Sequence, residues 1–521
     1  MFKNEFTWGY AVAKNETNEF HEQFEKAVEQ VKNELNNEYP LIINGEEIYS
    51  KNLFEVKSPS DTSIIVAKFP QGTINDTNQA IKSAKEAFHE WGTTTYQKRV
   101  NIFNECADLF SKQKFRLAAI MSYENGKTRI EAMGDIDEAI DFMRFYAYQL
   151  DINKGFSKET EHPNPREKTR TVLKPYGVWG IIAPFNFPSA IAIGMTTAAL
   201  ITGNTVVLKP ASDTPLSSYQ FVNVIYKKLP KGAVNFVTGS GNVVGKTLIE
   251  SKDVDGIAFT GSREVGMSGY KTFTQKETKP FISEMGGKNP VIVTKYADLE
   301  KATDGVLRAA FGYGGQKCSA CSRVYVQQEI ADKFLENLAK KTKSLKIGLP
   351  WKRDVFLGPV INKAAQKKFE EAVQLAKKDG EILVGGTILQ DSDYKKGYYV
   401  TPTIITKLPR HHKLMKEELF LPLLCVDKFE NFDEAIKLAN ESEYGLTAGI
   451  FSEDKKQLDE FFDKIQAGTV YANRAASATT AALVSSQPFV GWKHSGTTGK
   501  GAGGENYLQQ FMRAQTQTRC D

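Results

Sequence analysis

The chain has 521 residues, 41% of them hydrophobic and 25% charged, with a formal net charge of +5. That length exceeds one hydrophobic core, so two or three domains are expected. Lysines and glutamates are interspersed, as in "KNELNNEYP", which leaves no basic stripe for a nucleic acid.

Five cysteines, Cys106, Cys318, Cys321, Cys425 and Cys520, are odd in number and scattered, as in a reducing compartment. Cys318 and Cys321 form a C-x-x-C with no second pair to complete a zinc site. The six histidines show no metal-ligand spacing, and the adjacent His411 and His412 are expected on the surface. The N-terminal stretch "MFKNEFTWGYAVAKNETNEF" carries acids and no apolar core, so neither a signal nor a transit peptide is expected. A cytoplasmic location follows as the expectation.

In chain order, Asn75 to Trp91 reads as an amphipathic helix, with Ala80, Ile81, Ala84, Ala87, Phe88 and Trp91 on one face. Helices are expected to continue to about Gln149. The polar "NKGFSKETEHPNPREKTR", with two prolines, reads as a protruding connection or an edge hairpin. From Pro175 to Leu208 no residue is charged. Pro184, Asn186, Pro188, Gly194 and Asn204 suit a bilayer poorly, so two buried strands around a buried helix are expected and no membrane.

The runs "VWGIIAP", "TVVLKP", "AVNFVTG" and "GIAFTG" then alternate with helical stretches, the pattern of βαβ units on a parallel sheet. Such sheets bind ligands at the carboxyl ends of their strands. A second alternation runs from "NPVIVT" to "GTVYANR". The tail "GTTGKGAGGENYLQQFMRAQTQTRCD" reads as an arm or strand laid against another element. The fold class is therefore α/β, with two doubly wound domains.

Several residues along this framework invite chemistry. "FGYGGQKCSA" presents Cys318 behind Gly312, Gly314 and Gly315, which let the backbone bend and another molecule approach. It is a glycine-rich turn with an incidental thiol, or a nucleophile in a cleft. "AFTGSREVG" places Gly261, Ser262 and Gly266 at a helix start, where free N–H groups attract phosphate. "VTGSGNVVG" offers a similar turn around Gly241. Lys209 closes a strand and is either an exposed lysine or a ribose contact. Asn186, between the aromatics of "APFNFP", either caps the next helix or donates to a developing oxyanion. Glu284, before Gly286 and Gly287, is a surface acid or a general base. In "EELFLP", Glu417, Glu418 and Phe420 offer a carboxylate for vicinal ribose hydroxyls. Thiol, amide, carboxylate and a dinucleotide-like domain together suit oxidation of an aldehyde through a thioester.

The residues resemble the aldehyde dehydrogenase superfamily over nearly the whole chain. The motifs are "APFNFP", "GNTVVLKPASDTP", "FTGSREVG", "EMGGKNP", "GQKCSACSR", "KEELFLP" and "EYGLTAGIFS". Within it, "FGYGGQKCSACSR", "QPF" and "HSGTTGKGAGGENYL" are similar to the subgroup that oxidises glutamate γ-semialdehyde, the open form of 1-pyrroline-5-carboxylate, to glutamate.

The resemblance implies a Rossmann-like NAD(P)-binding domain over 1–154 and 173–285, a catalytic domain over 286–490, and a small β bridging element over 155–172 and 491–521 that makes a homodimer or higher oligomer. It implies Cys318 as nucleophile, Asn186 as oxyanion donor and Glu284 as base. Glu418 and Phe420 would hold the nicotinamide ribose, Lys209 the adenine-side ribose, and Ser262 the pyrophosphate. Phe185, Ser319, Phe489 and the backbone at Ala481 and Ala482 would receive the substrate. The thiol is expected to ionise below the free value of about 8.5, and Cys321 to serve packing, with oxidation to join it to Cys318 as the alternative if the loop opens.

The chain departs from the subgroup at "NRAASATTAALVSSQPFVG", which is about three residues longer than usual and carries Val490 where glycine is usual. Another semialdehyde or a hydroxyaldehyde is therefore an alternative substrate, and a non-catalytic ligand-binding protein is an alternative of another class. Ser212 stands where strongly NAD-selective relatives carry a glutamate, so NADP is an alternative to NAD.

Overall fold

The structure, a computed structural model, describes residues 2–475 and 483–520. Ala481 and Ala482 lie outside the described residues.

Two seven-stranded sheets carry the molecule. In the first, five parallel strands run in the order Phe281–Glu284, Gly256–Thr260, Val178–Ile182, Thr205–Lys209 and Val234–Phe236. Leu41–Ile43 and Glu46–Ile48 extend that sheet antiparallel. The second sheet runs Glu381–Val384, Thr403–Thr406, Leu423–Phe429, Cys321–Gln327, Asn289–Val293, Thr447–Phe451 and Thr469–Ala472. Only its first pair is antiparallel.

The period of two along each strand explains why both faces are covered. Val206 and Leu208 point into one core and Val207 between them into another. In the second sheet Val291 and Val293 enter one core and Ile292 the opposite one. Each such buried aliphatic side chain contributes about 1.5–3 kcal/mol, so neither face tolerates exposure.

The uncharged stretch folds as expected. Strands Val178–Ile182 and Thr205–Lys209 flank the helix Ala190–Ile201, in which every residue but Ile191 is buried. No helix among the described residues is long and apolar enough to cross a membrane. The amphipathic helix spans Ile74–Thr93, opened by a capping box between Thr73 and Asp76. Tyr96–Asn125 and Arg129–Ile152 follow it.

The polar connection forms an antiparallel hairpin, Ser157–Thr160 with Glu167–Pro175, and the C-terminal strand Met512–Cys520 adds to its other edge. Residues 492 and 493 pair instead with Tyr444 and Gly445, and the Gly496 backbone bridges to Glu284.

His411 is exposed, but His412 is half-buried, contrary to the expectation for the pair. Its Nδ1 accepts the Leu414 N–H at 3.1 Å, and its Nε2 lies 3.2 Å from Asp379. Capping the short Lys413–Lys416 helix draws it inward.

Candidate active site

The first sheet ends its edge strand at Glu284, and the second begins an inner strand at Asn289. Only Met285 to Lys288 join them. The carboxyl edge of one sheet therefore faces the amino edge of the other, and the cleft lies at that crossing. Two glycines make it passable. A Cβ on Gly286 would sit 2.0 Å from the Glu418 Oε2, and one on Gly287 would sit 2.8 Å from the Cys318 carbonyl oxygen.

Cys318 follows the helix Leu299–Phe311 and a left-handed turn in which Tyr313, Gly314 and Gly315 have φ of 50°, 63° and 66°. Gly315 is required: a Cβ there would lie 2.3 Å from the Leu421 carbonyl oxygen. Gly312 has a φ of −55° and needs no such freedom.

Asn289 then clamps the thiol loop. Its Nδ2 donates to the carbonyls of Cys318 at 2.7 Å and Ala320 at 2.9 Å, and its Oδ1 accepts the Thr447 N–H at 3.0 Å. Thr447 also donates its hydroxyl to the Ser319 carbonyl at 3.3 Å, and Ser319 is 7% exposed. Reading the sequence missed Asn289. Its signal was an amide directly before a proline at a strand start in "GGKNP", where a side chain can stitch loops that the backbone cannot.

The Cys318 thiol is half-buried. Burial raises its pKa above the ordinary thiol value, the negative charges of Glu418 and Glu284 add to this, and the Ser319 N–H opposes it. The expectation of a lowered value fails for the protein alone: two carboxylates face the sulfur where a cation would be needed. Cys321 is buried, and its Sγ donates to the Arg323 carbonyl at 3.4 Å, a packing role as expected.

Burial also pushes Glu284 well above the ordinary carboxyl range, against a hydrogen bond from the Gly491 N–H. Its Oε2 has no hydrogen-bond partner among the described residues. Glu418 accepts the Gly287 N–H at 2.9 Å; burial lifts its pKa to about 7, with Lys368 and Lys288 opposing. Phe420, at a φ of 62°, meets Phe185 edge to face at 5.7 Å. Asn186 is 2% exposed and makes no hydrogen bond among the described residues. It does not cap the next helix, whose N-cap is Ser189.

At the carboxyl edge of the first sheet, Lys209 ends its strand, is 5% exposed, and its Nζ donates to the Pro210 carbonyl at 2.7 Å. Burial lowers its pKa to about 8, with Asp213 opposing. The Ser212 hydroxyl donates to the Gly239 carbonyl at 3.1 Å. Ser262 caps the helix Arg263–Phe273 by accepting the Val265 N–H at 3.4 Å. Gly261 donates its N–H to the Glu284 carbonyl at 3.2 Å. Gly266 lets that helix press on Met285, whose Sδ lies 2.6 Å from where a Cβ would be. At Gly241 a Cβ would meet nothing within 4 Å, so the turn stands open. Phe489 is half-buried and pairs with Ala502.

A charged network behind the thiol also escaped the sequence reading. Lys127 and Asp135 pair at 2.7 Å with both side chains fully buried, and Lys317 pairs with Glu131 at 2.6 Å. Lys127 also lies 3.6 Å from the Phe187 ring centre and 5.0 Å from that of Tyr313. It thus ties the Asn186 loop to the turn before Cys318. Glu138, on the same helix, is raised to about 8 by burial and by Asp135. Acids at 131, 135 and 138 recur at helical spacing, and that was the signal available.

This geometry is that of a thiol-dependent, nucleotide-linked dehydrogenase, and the chain belongs to the aldehyde dehydrogenase family, which residues 46–517 match. It is 38% identical over 500 residues to 1-pyrroline-5-carboxylate dehydrogenase of Geobacillus sp. (strain WCH70), covering 95% of each chain. It superposes with a TM-score of 0.93 on 1-pyrroline-5-carboxylate dehydrogenase from Thermus with bound NAD, at 32% identity, covering 100% of this chain and 99% of that one. It also matches proline utilization A from Bdellovibrio bacteriovorus at a TM-score of 0.93 and 35% identity, where all of this chain spans 53% of the other.

Proposed function

We infer that the protein oxidises glutamate γ-semialdehyde, the open form of 1-pyrroline-5-carboxylate, to glutamate with NAD, as a step of proline degradation. The observation that carries this is the convergence of Cys318, Glu284 and Glu418 on the short link after Glu284, where a Cβ on Gly286 would meet the Glu418 carboxylate and one on Gly287 the Cys318 carbonyl oxygen.

The chain's groups fit a dinucleotide. The Glu418 carboxylate suits vicinal ribose hydroxyls, and the open turn at Gly241 and the helix start at Ser262 offer N–H groups to a pyrophosphate. Lys209 stands beside Gly245 for the second ribose. Ser212 brings no carboxylate against a 2′-phosphate, so NADP belongs in the test. When bound, NAD supplies the hydride acceptor and a positive nicotinamide ring.

The Cys318 thiolate forms a bond to the aldehyde carbon, and the carbonyl oxygen becomes an alkoxide. Asn186, a buried amide with no other hydrogen-bond partner among the described residues, donates to that oxygen together with the Cys318 N–H. Loss of hydride from the same carbon leaves a thioester on Cys318. Glu284, whose raised pKa makes its carboxylate a stronger base once it has lost its proton, takes a proton from water, whose hydroxide displaces the thiolate and releases the acid. Transfer of the acyl group to coenzyme A would need no such base, which favours hydrolysis. Phe185, Ser319, Phe489 and the Ala481–Ala482 backbone are the groups we assign to the substrate.

We further assign 1–154 with 173–285 to the cofactor domain, 286–490 to the catalytic domain, and 155–172 with 491–521 to a bridging element. Met512–Cys520 is an outer strand of its sheet, and an edge of that length is suited to pairing with a second copy. Five free cysteines support a cytoplasmic assignment.

Steady-state kinetics on an aldehyde panel with NAD and NADP test this reading. Glutamate γ-semialdehyde with NAD is expected to exceed propanal in kcat/KM by about 100-fold or more. Equal efficiency on propanal would sink the substrate assignment.

A further inference from the structure

The first 45 residues precede the matched family region, yet Asn4 reaches a segment 480 positions away. Its Nδ2 donates to the Asp141 Oδ2 at 2.7 Å and to the Val484 carbonyl at 2.9 Å. One amide group thus joins the N-terminal arm that carries Asn4, the helix Arg129–Ile152 and the segment that leads to Phe489.

The arm is fastened for that task. Glu5 N–H donates to Asp141 at 2.8 Å, and the Thr7 N–H and hydroxyl both donate to Asp137 at 2.7 Å. The Glu5 carboxylate accepts from Arg144 at 2.7 Å and Ser111 at 3.1 Å, and Phe2 meets Phe145 edge to face at 5.2 Å.

The far end is equally defined. Val484 is 3% exposed, and Ser485, at a φ of 76°, donates its N–H to the Gly503 carbonyl. Gln487 closes the turn on the Leu483 carbonyl at 2.9 Å, and Phe489 exchanges backbone hydrogen bonds with Ala502. A shift at Val484 is therefore passed through a short, bonded turn to Phe489.

We propose that Asn4 is a positioning residue for substrate choice: its amide sets the Leu483–Phe489 turn against the Arg129–Ile152 helix, and so sets the wall that meets the amino-acid end of the aldehyde. This rests on the substrate assignment above. Asn4 touches no reacting group; it acts through Val484.

The test compares Asn4→Asp, which keeps the volume but loses both donors, with Asn4→Ala and Asn4→Gln. For Asp and Ala, the KM for glutamate γ-semialdehyde is expected to rise about 5- to 20-fold, the loss of one or two hydrogen bonds. Its kcat, the KM for NAD and the kcat/KM for propanal are expected to stay within about 2-fold. Asn4→Gln, which retains both donors, is expected to recover part of the KM.

Hydrogen exchange of the Leu483–Phe489 amides is expected to accelerate in the Asp and Ala variants. Equal losses on both aldehydes, or an unchanged semialdehyde KM with unchanged exchange, would overturn the proposal. A wild-type preference for propanal would instead refute the substrate assignment, and the exchange measurement would still judge Asn4.

Discussion

The two seven-stranded sheets are built alike, each with its aliphatic side chains alternating between two cores, but they meet the cleft by opposite ends. The first presents strand carboxyl ends: Ile182 leads to Asn186, Thr260 leads to Ser262, and Glu284 ends the strand that begins at Phe281. The second presents strand amino ends: Asn289 opens one strand and Cys318 lies three residues before another. Helix starts and open turns gather at the first edge and suit a charged dinucleotide. At the second edge Asn289 and Thr447 hold the carbonyls around the thiol. The two edges of this shared architecture are joined by four residues, Met285 to Lys288.

The largest effect should come from the amino edge. Cys318→Ala is expected to lower kcat by roughly 10⁴-fold or more while NAD affinity, measured by calorimetry, stays within about 3-fold. Retained turnover would show that the second sheet does not supply the nucleophile.

Asn186→Ala, at the carboxyl edge, is expected to cost about 100- to 1000-fold in kcat with little change in the KM for NAD. A loss confined to KM would place Asn186 in ground-state binding and remove its claim on the oxyanion.

The smallest effect concerns how the edges talk. Because the thiol's pKa is raised in the protein alone, alkylation of Cys318 by iodoacetamide should still be climbing at pH above the ordinary thiol value. The positive nicotinamide ring should shift that profile to lower pH, by about one pH unit. A cofactor-free profile already flat below pH 8 would show that burial, Glu418 and Glu284 do not govern the thiol.

How much of this was legible depends on the range of the interaction. The uncharged stretch declared two buried strands and a buried helix, because burial on every side leaves a direct mark on composition. Cys321 lies buried in the core of the second sheet. His412 was misread, because capping a short helix is a tertiary convenience with no strong sequence mark. Lys127 and Asp135 were missed because a buried pair looks, in one dimension, like two surface charges. The thiol's environment was misjudged because the nearby carboxylate of Glu418 lies 100 residues further along the chain.

The sequence by itself determined the α/β class, the order of its motifs and the residue types that the chemistry requires, since periodicity and turn chemistry act over a few residues. Only the tertiary structure decided which strand ends face the cleft, that Asn289 clamps the thiol loop, that two carboxylates oppose the sulfur, and that Asn4 meets Val484. These are contacts between distant parts of the chain, and their energies depend on distances and burial that exist only after folding.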